Sequence, residues 1–289
     1  MIFSLPFHLT RYFRPTILEA FAITNSELGD AFAIYGLTAM ISYFPGGILA
    51  DKFSIRHLMS GSLIATSVGG IYLLYIPNSF ELSLLYGYWG ITSILFFWAA
   101  LIKATRQWGG VFSQGKAFGY LDGGRGLVAA TFATLSVFIF SSFLPNQEEF
   151  IENVDRIYAL QIVITYYIII TAITALVVWF VLPKNDEDNH HGKTKNMFIT
   201  PKLKLIFDKN IFFIAITVVC AYCGYKGLDN ITLYLVQTLN WHEASAASFA
   251  AYATYLRPIS AISAGVIADK FDCSKTIKNL FLISILVYL

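Results

Sequence analysis

Six charged side chains stand in otherwise apolar runs, and their spacing is the first clue to chemistry. Asp122 and Arg125 lie three residues apart, and Lys226 and Asp229 repeat that spacing in reverse order. On a helix, residues at i and i+3 share a face. Arg257, followed by Pro258, sits in the middle of a third apolar run, and Arg11, with Arg14 beyond it, lies in a fourth. In hydrocarbon such a charge costs about 2.5–3.5 kcal/mol on insertion scales, so it faces a partner or a cavity. The basic members can hold an anion, and the acids, Asp122 and Asp229, can carry a proton. The competing reading of each i,i+3 pair is mutual neutralisation within one helix. Arg257 has no acid within a turn, which favours a binding role. Arg14 reads as an interfacial anchor that snorkels outward.

Other reactive patterns are weaker. Cys220 and Cys223 form a CxxC inside an apolar run with no second pair and no neighbouring histidine, and read as small apolar residues. His190 and His191 lie in a polar stretch without a third ligand. No GxxxxGK[ST] loop, nucleophile–base pair or metal cluster is visible, so the sequence reads as no enzyme, with no cofactor and no metal. Tyr86, Tyr88, Trp89 and Trp98 share one run and read as packing or lipid-facing rings.

The elements that position these residues follow from composition. Of 289 residues, 56% are hydrophobic, 16% aromatic and only 13% charged, against about 25% charged in a soluble domain. Lipid is therefore the main solvent. The formal charge of +2 and the lack of a basic, aromatic-interleaved patch exclude a nucleic-acid partner. A spanning helix takes about 20 mostly apolar residues. Ala31–Ala50, His57–Ile76, Leu82–Ala104, Ala117–Leu144, Ile157–Leu182, Ile211–Leu239 and Ser245–Ala268 qualify. Asp122 and Arg125 then lie about 9 and 14 Å beyond Lys116. Met1–Tyr12 and Ile277–Leu289 are apolar but too short, so the chain is expected to begin inside one helix and stop inside another. Met1–Tyr12 lacks the basic start and cleavage site of a signal peptide.

Connections alternate in charge. Segments 51–56, 103–116, 183–209 and 270–278 collect Lys and Arg, whereas the alternate set carries Glu19, Glu27, Asp30, Glu81, Glu148, Glu149, Glu152, Asp155 and Glu243. The positive-inside rule places the basic set in the cytoplasm. Residues 183–209 have the composition of a solvated linker.

The chain also repeats itself. Gly47-Ile48-Leu49-Ala50-Asp51-Lys52-Phe53 returns as Gly265-Val266-Ile267-Ala268-Asp269-Lys270-Phe271, 218 residues on. The same offset sets Arg11 on Asp229 and Ala39 on Arg257. Such a duplication marks an internal structural repeat.

With Gly47, Leu49, Ala50, Asp51, Lys52 and Arg56, the first copy resembles the loop motif G-x-L-a-D-(R/K)-x-G-(R/K)-(R/K) of the major facilitator superfamily of secondary transporters. Ser54 replaces the usual glycine and Ile55 a usual basic residue. The second copy keeps Gly265, Asp269 and Lys270. The resemblance implies an all-α, polytopic membrane protein: helices one (partial) to nine (partial) of a twelve-helix, two-bundle fold. Residues 1–182 would form the first bundle, 183–209 a cytoplasmic linker, and 210–289 the start of the second. In the family the motif acid steadies one state of a rocking molecule, and helices one, four and seven line the cavity. That points to Arg11, Lys226 and Asp229, with Arg125 and Arg257 flanking. The helix-five drug-antiporter signature is not matched, because Gly124 stands where proline belongs. The helix-one arginine loosely resembles the organophosphate and anion branch.

The expected function is gradient-driven transport of a small solute across the inner membrane, with an organic or inorganic anion favoured by the basic excess. Protons and the bilayer are the other partners. The alternatives are a proton-coupled transporter of a neutral sugar, and a receptor or fragment that transports nothing.

Overall fold

The computed structural model describes residues 1–110, 113–143, 153–182, 209–271 and 273–288. Among them every regular element is helical. The helix α1 comprises three short pieces, Ser4–His8, Leu9–Tyr12 and Arg14–Ala20. Then come α2 (Asn25–Lys52) and α3 (Ile55–Leu73). The helix α4 runs from Ser79–Ile91 through the π-helical Thr92–Trp98 into Ala99–Gly109. After it stand α5 (Gln114–Ser142) and α6 (Asn153–Val181). The helix α7 joins Lys209–Gly227, Leu228–Asn230 and Ile231–Gln237, α8 joins Glu243–Ala253 and Leu256–Lys270, and α9 is Cys273–Tyr288. The linker segment 183–208 and the acidic segment 144–152 lie outside the described residues, with His190, His191, Glu148, Glu149 and Glu152.

Local signals set the helix starts. Thr24 and Glu27 form a capping box, the Glu27 amide donating to Thr24 Oγ1 and the Thr24 amide to Glu27 Oε2 at 2.7 Å. Asn78 and Glu81 do the same for α4. Each box satisfies orphan amides and sets an acid at the positive end of the helix.

Four described helices are unbroken, long and apolar enough to cross a membrane: Asn25–Lys52, Ser79–Gly109, Gln114–Ser142 and Val154–Val181. The seven spans expected from hydropathy are thus not all alike. The helix α3 is 19 residues long, and α7 and α8 are interrupted. Outer faces carry bare apolar side chains, among them Met40, Ile41, Phe44 and Phe180, each well over half exposed. Water would not tolerate such a surface, whereas lipid does.

The short first helix is the most enclosed. Leu5, Leu9, Tyr12, Phe13 and Ile17 are almost wholly buried, and Phe13 packs on Phe140 of α5 at 4.9 Å between ring centroids. Its breaks have local causes. Pro15 lacks an amide hydrogen and crowds the carbonyl four residues earlier, which belongs to Arg11. That carbonyl instead accepts a hydrogen bond from Thr232 Oγ1 of α7 at 2.9 Å. In α8, Pro258 acts likewise on Thr254, and the helix closes and restarts between Ala253 and Leu256.

The repeated heptads end in the same way. Phe53 and Phe271 both turn to extended backbone, with φ/ψ of −110°/153° and −117°/166°, and each donates its amide to the carbonyl four residues back at 2.9 Å.

Candidate functional site

The charged residues singled out by spacing gather into two clusters. In the first, Asp229 enters through the 3₁₀ turn Leu228–Asn230 of α7. Arg11 of α1 grips its Oδ1 through Nη2 at 2.5 Å and Nε at 2.7 Å. Lys226, three residues earlier, holds the other oxygen. Arg11 and Asp229 side chains are each 12% exposed. Lys226 also rests its ammonium 4.6 Å from the ring centroid of Phe7, a cation–π contact across to α1.

These two residues are also the pair that the 218-residue offset aligns. Positions equivalent under a pseudo-two-fold meet each other only close to that axis. The Arg11–Asp229 bond therefore joins the two copies of the repeat at matched positions.

The second cluster joins α5 to α8. Arg257 Nη2 lies 2.8 Å from Asp122 Oδ1, and its Nε donates to Oδ2 at 3.4 Å. Arg125 Nη1 approaches Asp122 Oδ1 at 3.3 Å. The acid for Arg257, missing within its own turn, comes from another helix. Arg125 also lies over two rings, Trp98 of α4 at 5.2 Å and Phe3, just before α1, at 5.6 Å. Here the side chains stay more open, at 39% for Asp122, 32% for Arg125 and 26% for Arg257. The glycines of α5 create the room: a Cβ on Gly126 would stand 2.9 Å from Arg257 Cγ.

The neutralising and the binding readings of the i,i+3 pairs therefore coexist. Each acid meets the cation on its own helix and a second cation from a partner helix. Half-buried His8 lies between the clusters, within electrostatic reach of Arg11, Arg125 and Arg257. Sequence reasoning passed over it, although it stands at i−3 to Arg11. Trp98 and Phe3 were passed over as ligands for Arg125. Tyr86 and Trp89 are packing residues, almost fully buried, and the Tyr88 hydroxyl donates to the Ala65 carbonyl at 2.7 Å. Arg14 does not snorkel outward. It is 4% exposed, its Nε donates to Asn25 Oδ1 at 2.8 Å, and its guanidinium lies 5.6 Å from the Phe32 centroid. The break after Tyr12 turns it inward.

Irregular backbone borders both clusters: the broken α1, the π-helical Thr92–Trp98, the turn Leu228–Asn230 and the break before Leu256. Within a membrane such backbone is tolerated where it is enclosed by protein or lines a cavity.

At the basic end of the helices the two heptads differ. Asp269 accepts the amides of Gly115 at 2.9 Å and Lys116 at 2.8 Å, so α8 caps the first turn of α5. The close approach needs glycine, since a Cβ on Gly265 would lie 2.5 Å from the Gly115 carbonyl oxygen. In the first copy Gly47, Asp51 and Lys52 are exposed. Lys103 Nζ donates to the Ala50 carbonyl at 3.2 Å, and Arg56 stacks 4.3 Å from the Trp179 centroid. Lys270, beside Asp269, is exposed. Cys220 and Cys223 are free thiols, and among the described residues no three His, Cys, Asp or Glu side chains gather as a metal site.

Fold and site define an all-α, multi-pass membrane protein with buried charge at helix breaks. The family model of the Major Facilitator Superfamily matches residues 1–289, and the chain belongs to that superfamily. It is 28% identical over 292 residues to the inner membrane protein YihN of Escherichia coli, covering 98% of this chain and 66% of that protein. It is 26% identical over 216 residues to the inner membrane protein YqcE of the same organism, covering 74% of this chain and 49% of the relative. The chain thus spans less than two thirds of the length of these relatives. Family and relatives place it in the inner membrane.

Proposed function

We propose that the protein is a secondary transporter of a small anion, working by alternating access between two helix bundles. The observation that carries this reading is the charge balance of the two clusters. Arg11, Arg125, Lys226 and Arg257 face Asp122 and Asp229, four cations against two acids. Buried charge of one sign favours a ligand of the other, because desolvated cations gain most from a paired anion.

Each cluster has its own part. The guanidinium groups of Arg125 and Arg257 converge on one carboxylate in an accessible setting, and a carboxylate or phosphate of the solute can compete for the same donors. Phe3 and Trp98 hold Arg125 in place while it exchanges partners. The Arg11–Asp229–Lys226 group ties α1 to α7 near the pseudo-axis, where a rocking motion displaces partners least. Asp269 on the α5 amides steadies the basic, cytoplasmic end of the α5–α8 contact. A carboxylate at a helix N-terminus biases such an equilibrium by about 1 kcal/mol.

The test is uptake of labelled anions and sugars by proteoliposomes holding the full-length protein, with and without an inward proton gradient. Gradient-driven anion uptake that disappears in Arg257→Gln, with membrane insertion intact, is the expected result. Saturable sugar uptake indifferent to competing anions would replace the anion by a neutral solute. No uptake of any solute by folded protein would leave a receptor.

A further inference from the structure

At the end opposite the basic loops, three helices meet through charges that the anion site does not use. Arg156 of α6 contacts Glu19 of α1, and its Nη2 lies 3.3 Å from Glu243 Oε1 at the start of α8. Thr16 Oγ1 of α1 donates to Glu243 Oε2 at 2.8 Å. The helices α1 and α6 belong to the first half of the repeat and α8 to the second, so the knot ties the halves together. We propose that this knot is the outer gate and that Glu243 takes up a proton from the outer compartment as the gate closes.

Two carboxylates share one guanidinium, so the fully ionised knot holds an excess negative charge that protonation removes. The acids are not equivalent, because the Glu19 side chain is 50% exposed and that of Glu243 only 16%. Desolvation therefore falls on Glu243. Among the described residues the other charged groups at this end of α1 and α6 are Arg14, buried against Asn25, and half-buried Asp155 beside Arg156. The segments of α5 and α7 at this end, Thr131–Phe143 and Ile231–Gln237, carry no charged residue and one phenol, Tyr234, and the neighbouring His242 is exposed. Glu243 precedes the apolar span that begins at Ser245. Burial raises its pKa, the Thr16 hydrogen bond and Arg156 pull it back, and Glu19 pushes it up again.

The sign is opposite to that of a simple salt-bridge lock. Moving α8 away from α1 and α6 would hydrate Glu243 and return it to the ordinary carboxylate range. The closed gate binds the proton more tightly than the open one, so acid favours closure. One proton taken up gives a limiting slope of about one decade in the closing equilibrium per pH unit. The proton moves from outer water to Glu243 Oε1, while Thr16 keeps Oε2 and Arg156 keeps Glu19.

The inference rests on alternating access, but its readout is gate position rather than uptake. Spin labels at Ser26→Cys and Thr238→Cys, with Cys220, Cys223 and Cys273 replaced by serine, report the outer opening of the full-length protein in nanodiscs. The short-distance population is expected to grow as pH falls, by up to tenfold per unit. Glu243→Gln should hold it high and flat across the range. Glu19→Gln, which removes a neighbouring negative charge, should move the transition to lower pH. Three results would each overturn the proposal: a single distance at every pH, a closed population that shrinks on acidification, or unchanged titration in Glu243→Gln. A titrating gate in protein that takes up no solute would sink the transport reading alone.

Discussion

The two ion clusters use the same residue types at the same spacing and yet differ in how firmly they are held. Around Asp229 the contacts are short, and the Arg11 and Asp229 side chains are 12% exposed, with Lys226 more open at 29%. Around Asp122 they run from 2.8 to 3.4 Å, and exposure rises to 39%. A buried, tightly paired acid is costly to disturb, whereas a looser, partly open one can trade partners. This contrast is what supports the proposed division of roles, the first cluster as a joint and the second as a place for exchange. The difference originates in backbone. Pro15 frees the Arg11 carbonyl for Thr232 and so sews α1 to α7 beside Asp229, while Gly126 of α5 lets Arg257 pack close beside Asp122.

Removal of each acid should break the symmetry most strongly. Asp229→Asn leaves Arg11 and Lys226 without their shared carboxylate, and loss of one member of a buried group costs about 3–5 kcal/mol. A large loss of folded protein in the membrane is expected, read by detergent size exclusion and thermal midpoint. Asp122→Asn, discounted for exposure, should cost about 1–2 kcal/mol and leave the protein folded. Equal losses would dissolve the distinction. The exchange Arg11→Asp with Asp229→Arg should recover much of the folded yield, because the repeat aligns the two positions and the pair keeps its opposite charges.

The solute cluster should respond in activity instead. Arg125→Gln and Arg257→Gln are expected to lower anion uptake by about a hundredfold, since each removes charge-assisted hydrogen bonds to the bound solute worth about 1.5–3 kcal/mol. Folded yield should stay near normal. Uptake that survives either change would remove the anion from this cluster.

The sequence made much of this legible and left particular things hidden. Long apolar runs located α2 to α6, and the repeated heptad located the matching ends of α2 and α8, because membrane length and a Gly–Asp–Lys turn leave strong local marks. The offset set Arg11 on Asp229 but could not show that they touch, since contact depends on where the axis falls. Arg257 read as an orphan because its acid, Asp122, lies 135 residues away. Arg14 read as a snorkelling anchor because hydropathy does not see the break at Phe13 that turns it inward. Of the knot, Glu19 and Glu243 were visible only as loop charge, and Arg156, a base in the acidic set, was passed over.

A smaller effect separates the heptads. Asp269→Ala removes the acceptor for two α5 amides, and a lost cap costs about 1 kcal/mol. The cytoplasmic contact of α5 with α8 should loosen about fivefold, seen as faster labelling of a cysteine placed at exposed Lys270. Asp51→Ala, at an exposed position, should leave that rate alone.

The smallest expected effect tests whether the second cluster is poised by its rings. Arg125 lies over Trp98 and Phe3, and a partly exposed cation–π contact contributes about 1 kcal/mol. Trp98→Leu keeps an apolar side chain but removes the better of the two faces. If Arg125 is held ready by the rings, KM for the anion should rise about fivefold with the maximal rate little changed, because orientation before binding is lost while the charge remains. If the rings only pack, KM stays fixed and thermal stability alone falls. The corresponding change at the first cluster, Phe7→Leu beneath Lys226, should leave KM unaltered, because there Asp229 already fixes the ammonium.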